Sequence, residues 1–269
     1  MRQNRVSDRI EAAPVVGRDR ALERAIASDG IELRFQPQSN PRSGHVEGAE
    51  ALARWSGAHT TEELFRRAAT AGLTERLSRH IQRKAISMAG EWRGSLDGLR
   101  LSLNLTPEDL ARAGYDSWLV QELADAGMDP ARLTLEITES SLVMDREIVS
   151  TGLARLRSLG VHIAVDDFGT GYANLAYLTS LPLDTLKIDR GLIADLVGGS
   201  RDRIVVKAMI GMARELGLRV VIEGVETAAQ LALVAEWDCD LYQGFLTAGA
   251  LDEAELGRFV AASQAAEAA

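Results

Sequence analysis

Two adjacent aspartates, Asp166 and Asp167, end an apolar run in the segment VDDFGTGYANL at residues 165–175. Each carboxylate raises the free energy of ionising the other, so the pair requires a positive charge nearby unless it is merely a polar turn. Such a turn could cap the next helix, and Gly169 and Gly171 would suit it. The alternative is a site for a hard divalent cation, for which carboxylates are preferred ligands.

Other predicted strands also carry an oxygen-bearing side chain within them or at their ends. These residues are Glu50, Asn104, Glu136, Asp189, Glu223 and Gln243. Carboxylate and amide oxygens are the ligands that Mg²⁺ and Mn²⁺ prefer. Carboxylates that converged without bound cations would repel one another strongly. If the strands converge, this set of residues therefore predicts a metal centre.

Each of these residues also has an ordinary structural interpretation. Asn104 could cap the helix that its context NLTPEDL predicts, and Glu223 could accept a hydrogen bond at a helix N-terminus. Glu136 could face solvent from a strand, and Glu139 could begin a capped turn. Lys187 could be a surface lysine that pairs with a neighbouring acid. These interpretations must hold independently at every strand, which favours one shared site.

Short apolar and β-branched runs provide the strands that position these side chains. Five of them predict buried parallel strands, at residues 99–105, 132–137, 161–167, 184–189 and 218–224. Further strands are predicted near residues 32–37, 46–55 and 239–243. About eight strands interleaved with helices predict an α/β fold, a closed β/α (TIM-like) barrel whose site lies where the strand ends share one face. An open doubly wound sheet is the alternative.

Helical periodicity fills intervals between these strands. The apolar residues of one predicted helix face are Ile148, Leu153, Leu156 and Leu159. Those of a second predicted face are Ile204, Val205, Ala208, Met209, Met212 and Leu216. Gly160 and Gly217 stand where these two helices should end.

Composition limits the domain organisation and the partners. The 269 residues suffice for one large core and show no second core or repeat. We therefore expect residues 1–25 to be an N-terminal lead-in helix or linker and residues 26–269 to be one barrel domain. A net charge of -9 without a basic tract argues against a long nucleic acid as partner.

Cysteine and apolar content indicate the compartment. The single Cys239 excludes an intrachain disulfide framework and fits a reducing compartment. We find no apolar stretch long enough for a bilayer, and the first residues lack the apolar core of a signal peptide. The sequence thus predicts a soluble, cytoplasmic protein. The four histidines are scattered without metal-ligand spacing.

The longer motifs resemble those of EAL domains, a family that hydrolyses the bacterial second messenger cyclic di-GMP. The eponymous triplet is Glu50, Ala51 and Leu52, extended to EALARW. The other matching segments follow in the family's order and are LNLTPEDL, LTLEITESSLVMD, LGVHIAVDDFGTGYANLAYL, LPLDTLKIDR, LGLRVVIEGVET and CDLYQGF. The resemblance covers roughly residues 30–246, and its long DDFGTGY and EGVET motifs make chance agreement improbable.

The resemblance implies a role for each matched residue. Ligands of two metal ions are implied at Glu50, Asn104, Glu136, Asp166, Asp167 and Glu223, with Asp166 shared. Catalytic roles around the attacking water are implied at Lys187, Glu223 and Gln243. Contacts to the substrate are implied at Gln36, Leu52, Arg54 and Asp189. Glu139 matches the residue that steadies the DDFGTGY loop.

The activity implied is hydrolysis of cyclic di-GMP to linear pGpG with two Mg²⁺ or Mn²⁺ ions. The resemblance also implies a homodimer formed through the loop and helix around residues 166–178. A catalytically silent EAL module that binds the dinucleotide or a protein is the alternative, and an unrelated Mg²⁺-dependent barrel enzyme is a remote third. The chain departs from the family pattern at Ala69, at Asn174 and over residues 246–251, away from the matched metal ligands.

Overall fold

Eight strands close into one barrel in the part of the chain that the computed structural model describes, namely residues 17–143, 146–169, 175–194, 196–198 and 201–267. The strands are β1 (Glu32–Ser39), β2 (Val46–Arg54), β3 (Arg100–Asn104), β4 (Leu133–Thr138), β5 (His162–Phe168), β6 (Thr185–Ile188), β7 (Arg219–Ile222) and β8 (Leu241–Tyr242). Each strand pairs with its neighbour in sequence, and β1 pairs with β8. The predicted closed barrel is confirmed, and the open sheet is wrong.

The first strand departs from the predicted alternation of strands and helices. β1 runs antiparallel to both β2 and β8, whereas the pairs from β2 to β8 are parallel. The interval 40–45 is too short for a helical crossover and forms a polar turn instead. In that turn the Asn40 side chain accepts hydrogen bonds from the backbone N–H groups of Arg42 and Ser43. Gly44 supplies the positive φ that the turn requires.

The helices within the described ranges lie outside the barrel or next to its ends. Their bounds are α1 (Arg20–Ala27), α2 (Thr61–Ala71), α3 (Thr74–Glu91), α4 (Pro107–Ala111), α5 (Tyr115–Asp125), α6 (Arg146–Ser158), α7 (Leu175–Ser180), α8 (Arg201–Glu215), α9 (Ala228–Glu236) and α10 (Glu253–Glu267). Thr106 and Thr227 begin α4 and α9 with capping boxes, in which the threonine and the third helical residue satisfy each other's backbone N–H groups.

Helix α1 packs onto the same core as the barrel. Leu22 and Ile26 are buried, and Asp19 at the helix N-terminus forms an ion pair with Arg67 of α2. The predicted boundary after residue 25 falls inside this helix. The extent of the lead-in segment stays a prediction, since residues 1–16 lie outside the described ranges.

The buried face of α8 differs from the predicted one. The side chains that face the core are Val206, Ile210 and Ala213, with Met209 and Met212 packed beside them. Ile204 is 73% exposed, and Val205 and Leu216 are also exposed. Apolar residues occur all around this helix, so periodicity alone did not identify the stripe that contacts the barrel.

The predictions for α6 and for the ends of α6 and α8 agree with the structure where it describes them. Leu153 and Leu156 of α6 are buried as expected, while the side chain of Ile148 lies outside the described part of the structure. Gly160 and Gly217 follow the ends of α6 and α8 with positive φ, as predicted for helix-terminating glycines. Among the described residues, none of the helices combines the length and apolarity that crossing a bilayer demands.

A small cavity lies inside the barrel, towards the amino-terminal ends of the strands. Its lining includes Gly48, Ser102, Thr134 and Ala164, and the cavity between them has a volume of about 20 Å³. A space of this size holds about one water molecule. This cavity cannot hold a larger ligand, and the active sites of closed β/α barrels lie at the other end, where the strands have their carboxyl ends.

Candidate active site

Lys187 of β6 is the centre of an acidic cluster at the mouth of the barrel. Its side chain is 1% exposed. Its Nζ lies 2.6 Å from Glu136, 2.8 Å from Glu223, 3.0 Å from Asp166 and 3.3 Å from Glu50. These acids come from β2, β4, β5 and the residue after β7, so the closed barrel brings together groups that are far apart in sequence.

Two amide side chains complete the cluster. Asn104 at the end of β3 donates from Nδ2 to Glu50 at 3.2 Å, which leaves its Oδ1 available to a cation. Gln243 donates from Nε2 to both Glu50 and Glu223 at 2.9 Å. Its Oε1 accepts a hydrogen bond from Gln38 of β1 at 3.1 Å, which fixes the orientation of the amide.

A bulge in β5 brings both aspartates to the same place. Val165 pairs with Leu186 and Phe168 pairs with Ile188, so two residues of β5 lie opposite one residue of β6. Asp167 adopts a left-handed conformation with φ 55°, which Asp tolerates better than most residues. Regular alternation would direct adjacent side chains to opposite faces, and the bulge removes this constraint.

Three carboxylates lie close enough to share a cation. Oxygens of Asp166, Asp167 and Glu223 all lie within 4.8 Å of one another. Within the described residues, the surrounding donors are carboxylates and amides, without the sulfur or imidazole ligands that softer metals favour. The residues present therefore fit a hard divalent cation such as Mg²⁺ or Mn²⁺.

The electrostatics of the cluster follow from burial and crowding. Burial raises the pKa of Glu223 to about 8, and the nearby charge of Asp166 adds to this effect. Burial, then the charges of Asp166 and Asp189, raise the pKa of Asp167 to about 6. Burial would lower the pKa of Lys187, but the surrounding carboxylates outweigh it and hold the pKa well above its usual value. At neutral pH these shifts favour a charged Lys187 and a protonated Glu223.

The three residues matched to substrate contacts on β1 and β2 lie near the cluster. Gln36 pairs in register with Glu50 and donates to the carbonyl of Ala248 at 3.4 Å. Leu52 and Arg54 follow Glu50 by two and four positions, so they share its face of β2. Arg54 donates from one guanidinium nitrogen to Thr61 Oγ1 at 2.8 Å and to the carbonyl of Ala53 at 2.9 Å.

Asp189 and Glu139 occupy the loops around β5 and β6. Asp189 caps the short helix Arg190–Leu192 by accepting from the N–H of Gly191 at 2.8 Å. Glu139 is buried and accepts from the N–H of Gly169 at 3.0 Å, which links the loop after β4 to the start of the glycine-rich loop. The rest of that loop, residues 170–174, lies outside the described part of the chain.

The structure brings the predicted metal and catalytic residues together at one mouth, with Gln36, Leu52, Arg54, Asp189 and Glu139 around it. Two buried glutamines, Gln38 and Gln82, are not among the residues predicted from the sequence. Gln38 follows Gln36 by two positions on the same strand, so the period of β1 could have indicated it. Gln82 interrupts the apolar stripe of α3, and a polar residue at such a position signals a buried partner.

Comparison with known proteins identifies the family of the chain. The sequence matches the EAL domain family over residues 19–250, which is most of the chain. The chain belongs to the EAL domain family.

Relatives of this EAL domain are named as enzymes of cyclic di-GMP. It is 37% identical to "Cyclic di-GMP phosphodiesterase NbdA" of Pseudomonas aeruginosa over 94% of this chain and 33% of that protein. It is 36% identical to "Cyclic di-GMP phosphodiesterase PA2567" of the same species over 85% of this chain and 40% of that protein. The chain thus spans about a third of the length of the curated relatives it matches.

Among solved structures, the EAL domain resembles one described as "PaMucR Phosphodiesterase, c-di-GMP complex". The TM-score is 0.80 at 33% identity, over 87% of this chain and 97% of that one. The departures from the family pattern lie on α2 and after β8 where they are described, and one of them, Ala248, accepts the hydrogen bond from Gln36. Ala69 is exposed on α2, and residues 246–251 form the loop after β8, while Asn174 lies outside the described residues.

Proposed function

We propose that this EAL domain hydrolyses cyclic di-GMP to linear pGpG with two divalent cations, Mg²⁺ or Mn²⁺. The proposal rests on one observation: four carboxylates at the matched positions gather around Lys187 Nζ in the barrel mouth. A phosphodiester anion would be repelled by these acids alone. Bound cations would neutralise the acids and attract the phosphodiester, so this donor set suits an anionic substrate.

The proposed ligands divide into two overlapping groups. Glu50, Asn104, Glu136 and Asp166 would hold one ion, and Asp166, Asp167 and Glu223 the other, so that Asp166 is shared. Support for the second group is the close approach of its three carboxylates. Support for the first is the contact of Asn104 and Lys187 with Glu50.

Each remaining residue of the cluster has a role in the proposed reaction. When bound, two cations lower the pKa of a water molecule and stabilise the charge of the in-line transition state. Lys187 places a fixed positive charge beside this water, and Gln243 orients it by hydrogen bonding. A carboxylate oxygen of Glu223 accepts the proton of the water where that group is not fully engaged as a ligand.

The substrate-binding residues would place the phosphodiester over this centre. Arg54 points a guanidinium, fixed by Thr61 and the carbonyl of Ala53, along the Glu50 face of β2. A guanidinium binds phosphate oxygens in a defined geometry. Gln36, Leu52 and Asp189 would provide further contacts to the substrate, and Glu139 holds the start of the glycine-rich loop that follows the paired aspartates.

Incubation of the purified protein with cyclic di-GMP and Mg²⁺ or Mn²⁺, followed by chromatography of the nucleotides, tests the proposal. We expect pGpG to accumulate with little further cleavage, and a metal chelator to stop the reaction. Asp166→Asn or Glu50→Ala should lower the rate by about 10³-fold or more, the equivalent of several kcal/mol of lost charge stabilisation. A variant with the wild-type rate would contradict the ligand assignment.

A receptor that binds cyclic di-GMP without hydrolysing it is the second candidate. The departures at Ala69 and residues 246–251 favour it, whereas retention of every matched ligand residue disfavours it. Unchanged substrate after incubation, with binding detected by calorimetry, would select the receptor.

Two further expectations belong to the same proposal. A homodimer through residues 166–178 gains support from Leu175, an apolar side chain exposed at the start of α7. Light scattering coupled to gel filtration measures the oligomeric state, and a Leu175→Glu variant should shift it towards monomer. A cytoplasmic location follows from the proposed substrate, an intracellular second messenger.

A further inference from the structure

Gln82 of α3 is a buried polar side chain behind the acidic cluster, in a part of the fold to which the proposed reaction assigns no role. Its side chain is 1% exposed, within a helix face that is otherwise largely apolar. Its Nε2 donates to the backbone carbonyl of Asn104 at 3.2 Å. Burial of a polar group without a hydrogen-bond partner is costly, so these contacts determine how α3 meets the end of β3.

The peptide unit that follows Asn104 is held on both sides. Its carbonyl accepts from Gln82, and its N–H, which belongs to Leu105, donates to the carbonyl of Glu136 at 2.8 Å. A peptide unit is planar, so two opposed hydrogen bonds fix its rotation about the chain. That rotation sets the direction in which the Asn104 side chain leaves β3 and reaches Glu50.

A second layer of contacts fixes Gln82 itself. Tyr115 of α5 donates from its hydroxyl to Gln82 Oε1 at 3.0 Å. The two hydrogens of Nε2 are shared among three acceptors, since Ser78 Oγ at 3.1 Å and Asp109 Oδ2 at 3.2 Å also lie within hydrogen-bond distance. Because Oε1 has a donor and Nε2 has acceptors, the amide has one favourable orientation, with Nε2 towards Asn104.

The carboxylate of Asp109, which contacts Gln82, has hydrogen-bond and ion-pair partners of its own. Asp109 has no exposed surface, and it accepts from Ser78 Oγ at 2.6 Å and from Thr106 Oγ1 at 2.8 Å. Arg112 lies 3.2 Å from its other oxygen. The network thus ties α3, α4 and the start of α5 to one carbonyl at the barrel mouth.

We propose that Gln82 is a positioning residue for the metal-binding amide of Asn104, acting through the backbone carbonyl of Asn104 and held in orientation by Tyr115 and Asp109. The proposal rests on the ligand role of Asn104 in the proposed function. Outer groups that orient metal ligands commonly change metal affinity or activity by 10- to 100-fold when they are removed. A purely structural role would instead change stability and leave metal affinity unaltered.

Gln82→Met tests this directly, because methionine keeps the length of the side chain and removes its hydrogen bonds. Mn²⁺ binding is measured by the electron paramagnetic resonance of free Mn²⁺, and stability by thermal unfolding without metal. We expect about tenfold weaker Mn²⁺ binding at one site, with the rate on cyclic di-GMP largely restored at saturating Mn²⁺. Unchanged Mn²⁺ affinity in a folded Gln82→Met protein would overturn the proposal.

Two further variants make the result independent of folding defects. Tyr115→Phe removes the donor to Gln82 Oε1 and keeps the packing, so it should weaken Mn²⁺ binding in the same direction by a smaller factor. If Gln82→Met does not fold, Tyr115→Phe decides alone. Leu123→Ala, a buried change on α5 without a polar contact, should lower the melting temperature and leave Mn²⁺ affinity at the wild-type value.

The wild-type protein separates this proposal from the proposed function. If it binds Mn²⁺ but does not hydrolyse cyclic di-GMP, and Gln82→Met binds Mn²⁺ more weakly, the positioning role stands and hydrolysis fails. If it hydrolyses the dinucleotide and the variants keep their Mn²⁺ affinity, the positioning role alone fails. If it binds no Mn²⁺, both are overturned.

Discussion

Lys187 Nζ lies 2.6 Å from an oxygen of Glu136, and both side chains are almost completely removed from solvent. Glu136 lies on β4 and Lys187 on β6, with β5 between them, and neither side chain has water around it to screen its charge. The lysine also contacts three further acids. It is therefore the counter-ion of the cluster as well as a proposed catalytic group.

Replacement of this lysine should destabilise the metal-free protein. Lys187→Met leaves several buried carboxylates without a partner, and removal of one member of a buried pair costs about 3–5 kcal/mol. We expect a lower free energy of unfolding in urea at pH 7.5, with part of the loss recovered when Mn²⁺ is added.

Lys207→Met on the exposed side of α8 is the matched control, and its effect should stay within about 0.5 kcal/mol. Equal stability of the Lys187 and Lys207 variants would show that the acids do not depend on this counter-ion.

Metal affinity should increase with pH. In the metal-free protein the pKa of Asp167 is raised to about 6 and that of Glu223 to about 8, so a cation must displace protons from both groups below pH 6 and mainly from Glu223 between pH 6 and 8. We expect Mn²⁺ affinity to rise between pH 5.5 and 8 and then to level off. Calorimetry in buffers of different ionisation enthalpy measures the protons released.

The raised pKa of Glu223 should also make the metal-free protein less stable as pH rises, whereas metal affinity increases. Glu223 has a higher pKa in the folded protein than the ordinary value of 4.5, so its contribution favours folding at low pH and is lost as pH rises towards 8. Glu223→Gln should remove this dependence between pH 5 and 8, and it should also flatten the rise of Mn²⁺ affinity above pH 7. An unchanged profile in this variant would assign the protons to another group.

The backbone of Asp167 can be tested separately from its charge. Its φ of 55° is tolerated by Asn but costs a β-branched residue about 1–3 kcal/mol. We expect Asp167→Asn to unfold at the wild-type urea concentration or higher, since it also removes a like charge beside Asp166. Asp167→Val should unfold earlier, although both variants lose one metal-binding carboxylate. Equal stability of the two would mean that the left-handed conformation is not imposed by the fold.

Much of the fold was predictable because strands and acids alternate with helices in a regular order. The segment that contains Glu136 and the one that contains Asp166 and Asp167 each combine a buried strand with acidic residues towards its carboxyl end, and parallel pairing then places the two strands side by side. The antiparallel direction of β1 was not predicted, although the short interval to β2 contained the information.

Other features depend on contacts that a local pattern does not contain. The bulge at Asp167 arises from the register between β5 and β6, and the exposed position of Ile204 depends on which side of α8 meets the barrel. The role of Gln82 depends on Tyr115, which is distant in sequence and close in the fold. The hydrogen-bond partners of a buried polar residue in a helix, such as Gln82, are therefore known only from the structure.

The hydrogen bond between Arg54 and Thr61 should control substrate affinity. Arg54 donates to Thr61 Oγ1 at 2.8 Å, and this bond and the one to Ala53 hold the guanidinium at the proposed phosphate position. Thr61→Val removes the acceptor and keeps the shape of the side chain. Because a hydrogen bond to a charged group contributes about 1.5–3 kcal/mol, we expect KM for cyclic di-GMP to rise by about tenfold with little change in kcat. Thr60→Val is the matched control, since Thr60 caps α2 without touching Arg54 and should lower stability by about 1 kcal/mol at unchanged KM. A rise in KM of equal size in both variants would trace the effect to the start of α2 and not to the position of Arg54.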